Sequence, residues 1–336
     1  MTHARLVGAL SLALLAACAE HVEPPPTRSP AEERSRDLAL PSAENPVDPL
    51  YAGGDFELLP PPQGGSWRTR VRERSQSLRE FQADERLRPT QLRRTLYLQP
   101  LGHYPETPIL AGDLPSLPLV EDGLVTFVFA PPPEELREFI AIFYGLPTQV
   151  RDEIDLASLV PGPARVRRHH GQFNAHRMLE ALEARLPEDA FSLTALMVRD
   201  LYAEERQEYA FGHAIHEDRV AVASFVQLDP QFIGHARHDD FRQRLRERAY
   251  KLVAHEIGHT LGMEHCDEFR CVMNGVADVS ELDEAPLHLG PQCLEKFLWL
   301  VDVEPGARYA ELSAHYQRYG LEPSAGWARL RARRLR

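Results

Sequence analysis

The residues most suited to chemistry in this chain lie between positions 255 and 265. His255, Glu256 and His259 form an HExxH segment, and His265 follows six residues after His259. Residues four apart lie on one face of a helix, so His255 and His259 can both direct a ring nitrogen at one Zn²⁺ ion. Gly262 permits the left-handed turn that ends such a helix, after which the chain can return His265 as a third ligand.

Glu256 stands where a general base is needed. Three neutral imidazoles leave one position open for water, and zinc lowers the pKa of bound water from about 15.7 towards about 7. A carboxylate beside that water can accept its proton and return it to a leaving amine. HExxH alone is a weak signal, but Gly262 and His265 at fixed offsets extend it to HExxHxxGxxH, the pattern of the metzincin metallopeptidases.

The residues after the third histidine resemble those of the archaemetzincin family. Cys266 follows His265 directly, Cys271 and Met273 lie in Cys-Val-Met-Asn, and Cys293 ends Leu-Gly-Pro-Gln-Cys. The resemblance implies that the cysteines hold a second, structural zinc beside the catalytic one. It also implies that Met273 is the methionine of the Met-turn, a soft apolar floor beneath the catalytic ligands.

The resemblance extends over roughly residues 95–305 and implies a fold. We expect an α+β domain, a metzincin-like zincin with a twisted mixed β-sheet, an active-site helix and a Met-turn. Apolar residues at helical spacing over 241–257 predict the face by which that helix packs on the sheet. Residues 212–215 are expected to form the edge strand above the cleft, where an extended peptide can pair by β-augmentation. His213 and His216 are expected to be surface histidines and not ligands.

The chain departs from the family within the cysteine cluster. Gly290 stands where the family has the first cysteine of Cys-Pro-x-Cys, which leaves three cysteines for a site that needs four ligands. His288 is one candidate for the fourth ligand, and Asp267 or water are others. In an exported domain, Cys266 and Cys271 could instead form a disulfide and leave the third cysteine free. We expect the second zinc rather than the disulfide.

The amino terminus is typical of an exported bacterial lipoprotein. Arg5 provides a short positive region, and the apolar run over 6–17 is too short to span a bilayer. The segment Leu-Ala-Ala-Cys that ends at Cys18 matches a bacterial lipobox. We therefore expect residues 1–17 to be a signal peptide and Cys18 to be lipidated. Ala19 after the cysteine indicates the outer membrane of the cell envelope. This leader is a second departure from the archaemetzincins, which we expect to be mostly intracellular.

Composition divides the rest of the chain. Residues 18–66 are proline-rich and predict a lipid-anchored linker, and 67–94 predict a charged helical segment. Residues 95–305 form the expected archaemetzincin-like catalytic domain, and 306–336 are an arginine-rich C-terminal tail. We expect that tail to be a frayed, solvated helix rather than a contact with anionic lipid.

The whole sequence predicts a zinc-dependent metallopeptidase that is tethered to the bacterial envelope and uses a zinc-activated water with Glu256 as general base. Its expected partners are a peptide or protein substrate and, through lipidated Cys18, the membrane. We expect a monomer. A net charge of −12 argues against binding of nucleic acid. The alternative is a non-catalytic zinc-binding lipoprotein that binds a peptide or protein partner on its edge strand. Glu256 favours the enzyme, because a binding module has no need of a carboxylate beside the metal.

Overall fold

The computed structural model describes residues 49–336 apart from 52, 85–87, 103–113, 115, 122 and 123. The expected signal peptide, lipidated Cys18 and most of the linker lie outside the described residues, so these predictions stay predictions. No helix in the described part of the chain combines the length and apolar character needed to cross a bilayer.

The secondary structure alternates strands and helices before it becomes wholly helical towards the carboxyl end. The strands are β1 (Thr95–Pro100), β2 (Ser116–Glu121), β3 (Leu124–Phe129), β4 (Thr148–Val150), β5 (Arg165–Arg167), β6 (His170–Asn174), β7 (Ala190–Met197), β8 (Asp200–Tyr202), β9 (Gly212–Ile215) and β10 (Val220–Ser224). The helices are α1 (Trp67–Arg70), α2 (Leu78–Gln82), α3 (Pro133–Tyr144), α4 (Leu156–Leu159), α5 (Ala175–Glu183), α6 (Phe241–Thr260), α7 (Val279–Glu284), α8 (Pro291–Leu300), α9 (Pro305–Arg318) and α10 (Glu322–Arg334). Short 3₁₀ turns occupy Pro49–Tyr51, Gly53–Asp55 and Val226–Leu228.

A five-stranded mixed sheet carries the functional elements. Its strand order is β4-β1-β7-β10-β9. The four strands from β4 to β10 are parallel, whereas β9 pairs antiparallel with β10 and forms one edge of the sheet. Every residue of β7 is buried, as expected for the centre of a sheet covered on both faces. The expected α+β fold and the expected antiparallel edge strand over 212–215 are therefore confirmed.

The long helix α6 packs against the sheet through an apolar face. Leu245, Ala249, Val253 and Ile257 are fully buried at the helical spacing that the sequence predicts. The helix ends where Gly262 adopts a left-handed φ of +81°, so the expected glycine turn is confirmed. The turn is a Schellman motif, in which N–H groups of the turn satisfy the last free carbonyls of the helix.

The segment before the first strand differs from the single charged helix expected there. Among the described residues of 67–94, α1 and α2 are the helical parts, and the chain between them is irregular. Polar groups of this segment form hydrogen bonds with distant parts of the chain. The main-chain N–H of Trp67 donates to the carboxylate of Glu281, and Ser75 Oγ accepts from the N–H of Asp267 at 3.0 Å. These tertiary bonds replace helical ones.

The prediction of a frayed, solvated C-terminal helix is wrong. Helices α9 and α10 pack on the core, and Tyr309, Tyr316 and Arg331 are almost completely buried. The Arg331 guanidinium donates to Asp55 Oδ2 at 2.6 Å, and Arg334 pairs with the other oxygen of that carboxylate. Because Asp55 pairs with the buried guanidinium of Arg331, this part of the basic C-terminal helix can pack in the protein interior.

Candidate active site and metal centres

Three histidine rings meet at the C-terminal end of α6. Nε2 of His259 lies 3.0 Å from Nε2 of His255 and 3.2 Å from Nε2 of His265. Zinc–nitrogen bonds of about 2.0–2.1 Å in a tetrahedral site separate the nitrogens by roughly 3.3 Å. The three donors therefore stand at the spacing that a single zinc ion requires.

The second nitrogen of each ring is also engaged. Each Nδ1–H donates to an oxygen, which fixes the tautomer and leaves Nε2 free to bind the metal. The acceptors for His255, His259 and His265 are, in turn, the carbonyl of Val272 at 2.9 Å, the carbonyl of Met263 at 2.7 Å and the carboxylate of Glu73 at 2.7 Å. Sequence reasoning missed Glu73, because nothing in a charged segment far upstream indicates such a contact.

Burial keeps the two helical histidines in the neutral form that binds zinc. Desolvation, with repulsion from the other rings, lowers the pKa of His255 to about 3 and the pKa of His259 well below its usual value. Both rings are therefore uncharged at neutral pH. Ligand type, spacing and protonation state all fit zinc.

Glu256 lies between α6 and the edge strand. Glu256 is only 5% exposed, and burial raises the pKa of its carboxyl group to about 8. The carboxylate lies against Gly212 of β9, where a Cβ atom would stand 2.3 Å from Oε1. The missing side chain of Gly212 thus makes room for the carboxyl group of Glu256, the expected proton acceptor.

Met273 lies beneath the active-site helix. It is completely buried, and a Cβ atom at Gly258 would stand 2.3 Å from its sulfur. Gly258, between the two helical ligands, therefore lets the thioether approach the helix axis. The structure places Met273 where the resemblance expects the Met-turn methionine, whereas sequence reasoning passed over Gly258.

The three cysteines form a second cluster. The sulfurs of Cys266, Cys271 and Cys293 lie within 4.8 Å of one another, and all three residues are buried. All three thiols are free, so the alternative disulfide between Cys266 and Cys271 is not formed. Cys271 Sγ accepts from the N–H groups of Gly290 at 3.1 Å and Met273 at 3.3 Å, bonds that favour a thiolate ligand. Soft sulfur ligands at this spacing suit zinc.

The suggestion that His288 supplies the fourth ligand is wrong. Its ring stacks on Trp327 at 3.8 Å with an interplanar angle of 5°, and it lies outside the cysteine group. Asp267 is also outside the group, and its carboxylate bonds to the hydroxyl of Ser75. Among the described residues, no fourth histidine, cysteine or carboxylate joins the three sulfurs. Asn274 organises the loop instead, since its side chain bonds to the backbone of Cys271, Cys266 and Phe269.

His213 of the edge strand and His216, just after that strand, face other side chains. His213 is half-buried and packs edge-on against His176 of α5, with ring centroids 4.7 Å apart. His216 instead faces the carboxylates of Glu217 and Asp84. The expectation that neither histidine binds the catalytic metal stays a prediction, and His213 is more buried than the surface residue expected there.

The active-site helix carries two imidazole ligands, the chain beyond the helix returns a third, and Met273 lies beneath the helix. This arrangement defines the chain as a zinc metallopeptidase of the metzincin type. Residues 163–298 match the model of peptidase family M54. Over these residues the chain matches the archaemetzincins, and its three histidines and three cysteines fit zinc as the cofactor. The matched segment contains all three histidines and all three clustered cysteines.

The chain is similar to archaemetzincins from distant organisms. The chain is 26% identical to archaemetzincin-2 of Homo sapiens over 276 residues, which cover 73% of this chain and 70% of the relative. It is 38% identical to archaemetzincin of Thermococcus kodakarensis over 104 residues, or 31% of this chain and 54% of the relative. A crystal structure of archaemetzincin from Methanopyrus kandleri aligns with 63% of this chain and 97% of its own, at 22% identity and a TM-score of 0.41.

Gly212→Ala should impair catalysis without unfolding the protein. The added methyl group would force the Glu256 carboxylate aside, and a displacement of about 1 Å at a reacting group can cost roughly 100-fold in rate. We expect kcat/KM on a pool of quenched fluorescent peptides to fall by about that factor, with zinc content unchanged. Gly326→Ala is the control, because its Cβ would enter open space. Equal rates for the two zinc-loaded variants would contradict this placement of Glu256.

Cys293→Ser should remove one of two zinc ions. A serine hydroxyl is a poor replacement for a thiolate, so elemental analysis should give two zincs per chain for the wild type and one for the variant. His288→Phe is the matched control and should keep both, because its ring packs on Trp327 and does not reach the sulfurs. Two zincs in Cys293→Ser, or one in the wild type, would show that the cysteine cluster does not hold metal.

Proposed function

We propose that this zinc peptidase is a lipid-anchored enzyme that cleaves peptides or proteins in the bacterial envelope, at the outer membrane, and acts as a monomer. The catalytic part of the proposal rests on one observation, the convergence of three imidazole nitrogens at the end of the helix that carries Glu256. The location rests on the lipobox that ends at Cys18 and on the proline-rich linker after it.

Glu256 is placed to move the proton during hydrolysis. Zinc held by the three histidines supplies a Lewis acid and lowers the pKa of water to about 7. Glu256 accepts a proton from the attacking water and returns it to the nitrogen of the leaving amine. Burial raises the pKa of Glu256. A zinc ion held by the three histidines would oppose that rise and so favour the ionised form that a general base needs.

The edge strand β9 provides a surface for the substrate backbone. One side of the strand pairs with β10, from Ile215 opposite Val220 to Gly212 opposite Ala223. An extended peptide that pairs with the other side passes beside Gly212 and so beside the Glu256 carboxylate. Main-chain pairing of this kind recognises a peptide backbone whatever its sequence. Because Gly212 lies close to Glu256, a peptide bound there would pass near the proposed proton acceptor.

Glu256→Gln should separate metal binding from catalysis. The amide keeps the size of the side chain but cannot accept the proton, and loss of a general base costs about 10²- to 10⁴-fold in rate. We expect normal zinc content and a loss of peptide hydrolysis of this size. His259→Ala should lose the catalytic zinc itself, measured by elemental analysis of the purified protein. Undiminished turnover by zinc-loaded Glu256→Gln would refute the assignment.

Cys18→Ser should release the protein from the membrane. A serine cannot form the thioether that carries the lipid, so the full chain expressed in a Gram-negative host should move from the membrane fraction to the soluble periplasm. Incorporation of a fatty-acid analogue should be lost at the same time. Cys293→Ser, which removes a cysteine far from the lipobox, should stay in the membrane fraction. A wild-type protein that is soluble and unlabelled would rule out the anchor.

A further inference from the structure

The third histidine ligand differs from the other two in how it is held. His255 and His259 project from α6, a rigid helix packed on the sheet. His265 lies beyond the helix, in a stretch without regular structure. Its orientation therefore depends on what its ring contacts, and the hydrogen bond from Nδ1 to Glu73 Oε2 at 2.7 Å is the polar contact that faces away from the other ligands.

Glu73 is itself held in place. Trp67 Nε1 donates to the same oxygen, Oε2, at 3.0 Å. The indole packs edge-on against the His265 ring, with centroids 5.2 Å apart at 79°. The indole also lies so close to Gly275 that a Cβ atom there would stand 2.1 Å from Nε1. Tryptophan and carboxylate together therefore enclose the outer side of the third ligand.

Both residues belong to a segment that precedes the first strand of the sheet, residues 57–76, which we term the strap. The strap is fastened at both ends to the region around the metal ligands, by two backbone bonds at its start and two side-chain bonds at its end. These are Leu59 N–H to Glu268 O at 2.8 Å, Arg270 N–H to Glu57 O at 2.7 Å, Asp267 N–H to Ser75 Oγ at 3.0 Å and Gln76 Nε2 to Gly262 O at 3.2 Å.

We propose that Glu73 is a positioning residue for the catalytic zinc. The strap then contributes to the active site, although it lies outside residues 163–298, which match the family model. A carboxylate on Nδ1 fixes the ring of a histidine ligand and makes its other nitrogen a stronger donor to the metal. The two helical ligands have carbonyl partners, so Glu73 supplies the one negative charge among the three Nδ1 acceptors. The inference rests on the proposed role of the three histidines as zinc ligands.

A simple surface ion pair would behave differently. The Glu73 side chain is 37% exposed, and exposed pairs contribute little to stability. A positioning role therefore predicts a loss of zinc affinity while the zinc-free protein keeps its thermal stability. The two measurements together separate a role at the metal from a role in folding.

The test compares Glu73→Ala, Glu73→Gln and Glu264→Gln in the full chain. Competition with a chelator gives the zinc dissociation constant, and thermal unfolding of the zinc-free form gives Tm. Loss of such a carboxylate partner typically weakens metal binding about 10- to 100-fold, which we expect for Glu73→Ala. Glu73→Gln should lose less, because its amide oxygen still accepts from Nδ1. Glu264→Gln removes an equal charge at the exposed position next to His265 and should bind zinc like the wild type.

Each other result has a distinct meaning. Wild-type zinc affinity in Glu73→Ala would overturn the inference and leave the proposed function intact. An equal loss in Glu264→Gln would assign the effect to net charge and would also overturn it. A fall in Tm of the zinc-free Glu73→Gln protein, matched by its loss of affinity, would assign Glu73 to folding. Failure of the wild type to bind zinc through its histidines would instead reject the proposed function itself.

Discussion

The geometry of one metal ion governs much of this structure. A zinc ion binds nitrogen only at about 2.0–2.1 Å, so three ring nitrogens must be held within a few tenths of an ångström of fixed positions. Side chains on a flexible chain lose that arrangement to conformational entropy. The fold meets the requirement with a 20-residue helix, α6, buried along one face against the sheet. The hydroxyl of Tyr144 donates to the carbonyl of Ala254, one residue before the first ligand, and ties the helix to its neighbour α3.

The two ligand clusters support each other through the chain that joins them. His265 belongs to the first cluster, and Cys266, the next residue, belongs to the second. The N–H of Cys266 donates to the carbonyl of Met273 at 2.8 Å, so the loop after the third histidine closes on the methionine beneath the helix. A metal held by the three cysteines would therefore restrict the residue next to the third ligand. This coupling gives the second cluster a structural purpose even with three sulfur ligands.

Close approach of backbone atoms is a second recurring requirement. Three glycines each lie so close to a neighbouring side chain that a Cβ atom would overlap with it. They are Gly212 against Glu256, Gly258 against Met273 and Gly275 against Trp67. In each case the side chain that fills the space belongs to the active site or to its outer wall. Each glycine thus permits a side chain to approach the backbone closely. Substitution at these positions acts on the site by displacing a partner rather than by straining the backbone.

The sequence by itself indicated the three histidines, Glu256 as the expected general base and the glycine turn, because those features follow local rules. Residues four apart share a helix face, and glycine adopts a positive φ. The edge strand was expected from the resemblance to the metzincins. Only the tertiary structure decided which groups support them. Glu73 lies 192 residues from His265, and Asp55 lies 276 residues from Arg331, so neither pair has a local signature. His288 is the opposite case. Its place in the sequence made it one candidate for the fourth ligand, but its ring stacks on Trp327 instead. Contacts between distant segments depend on how whole elements pack, and residue spacing carries no information about that packing.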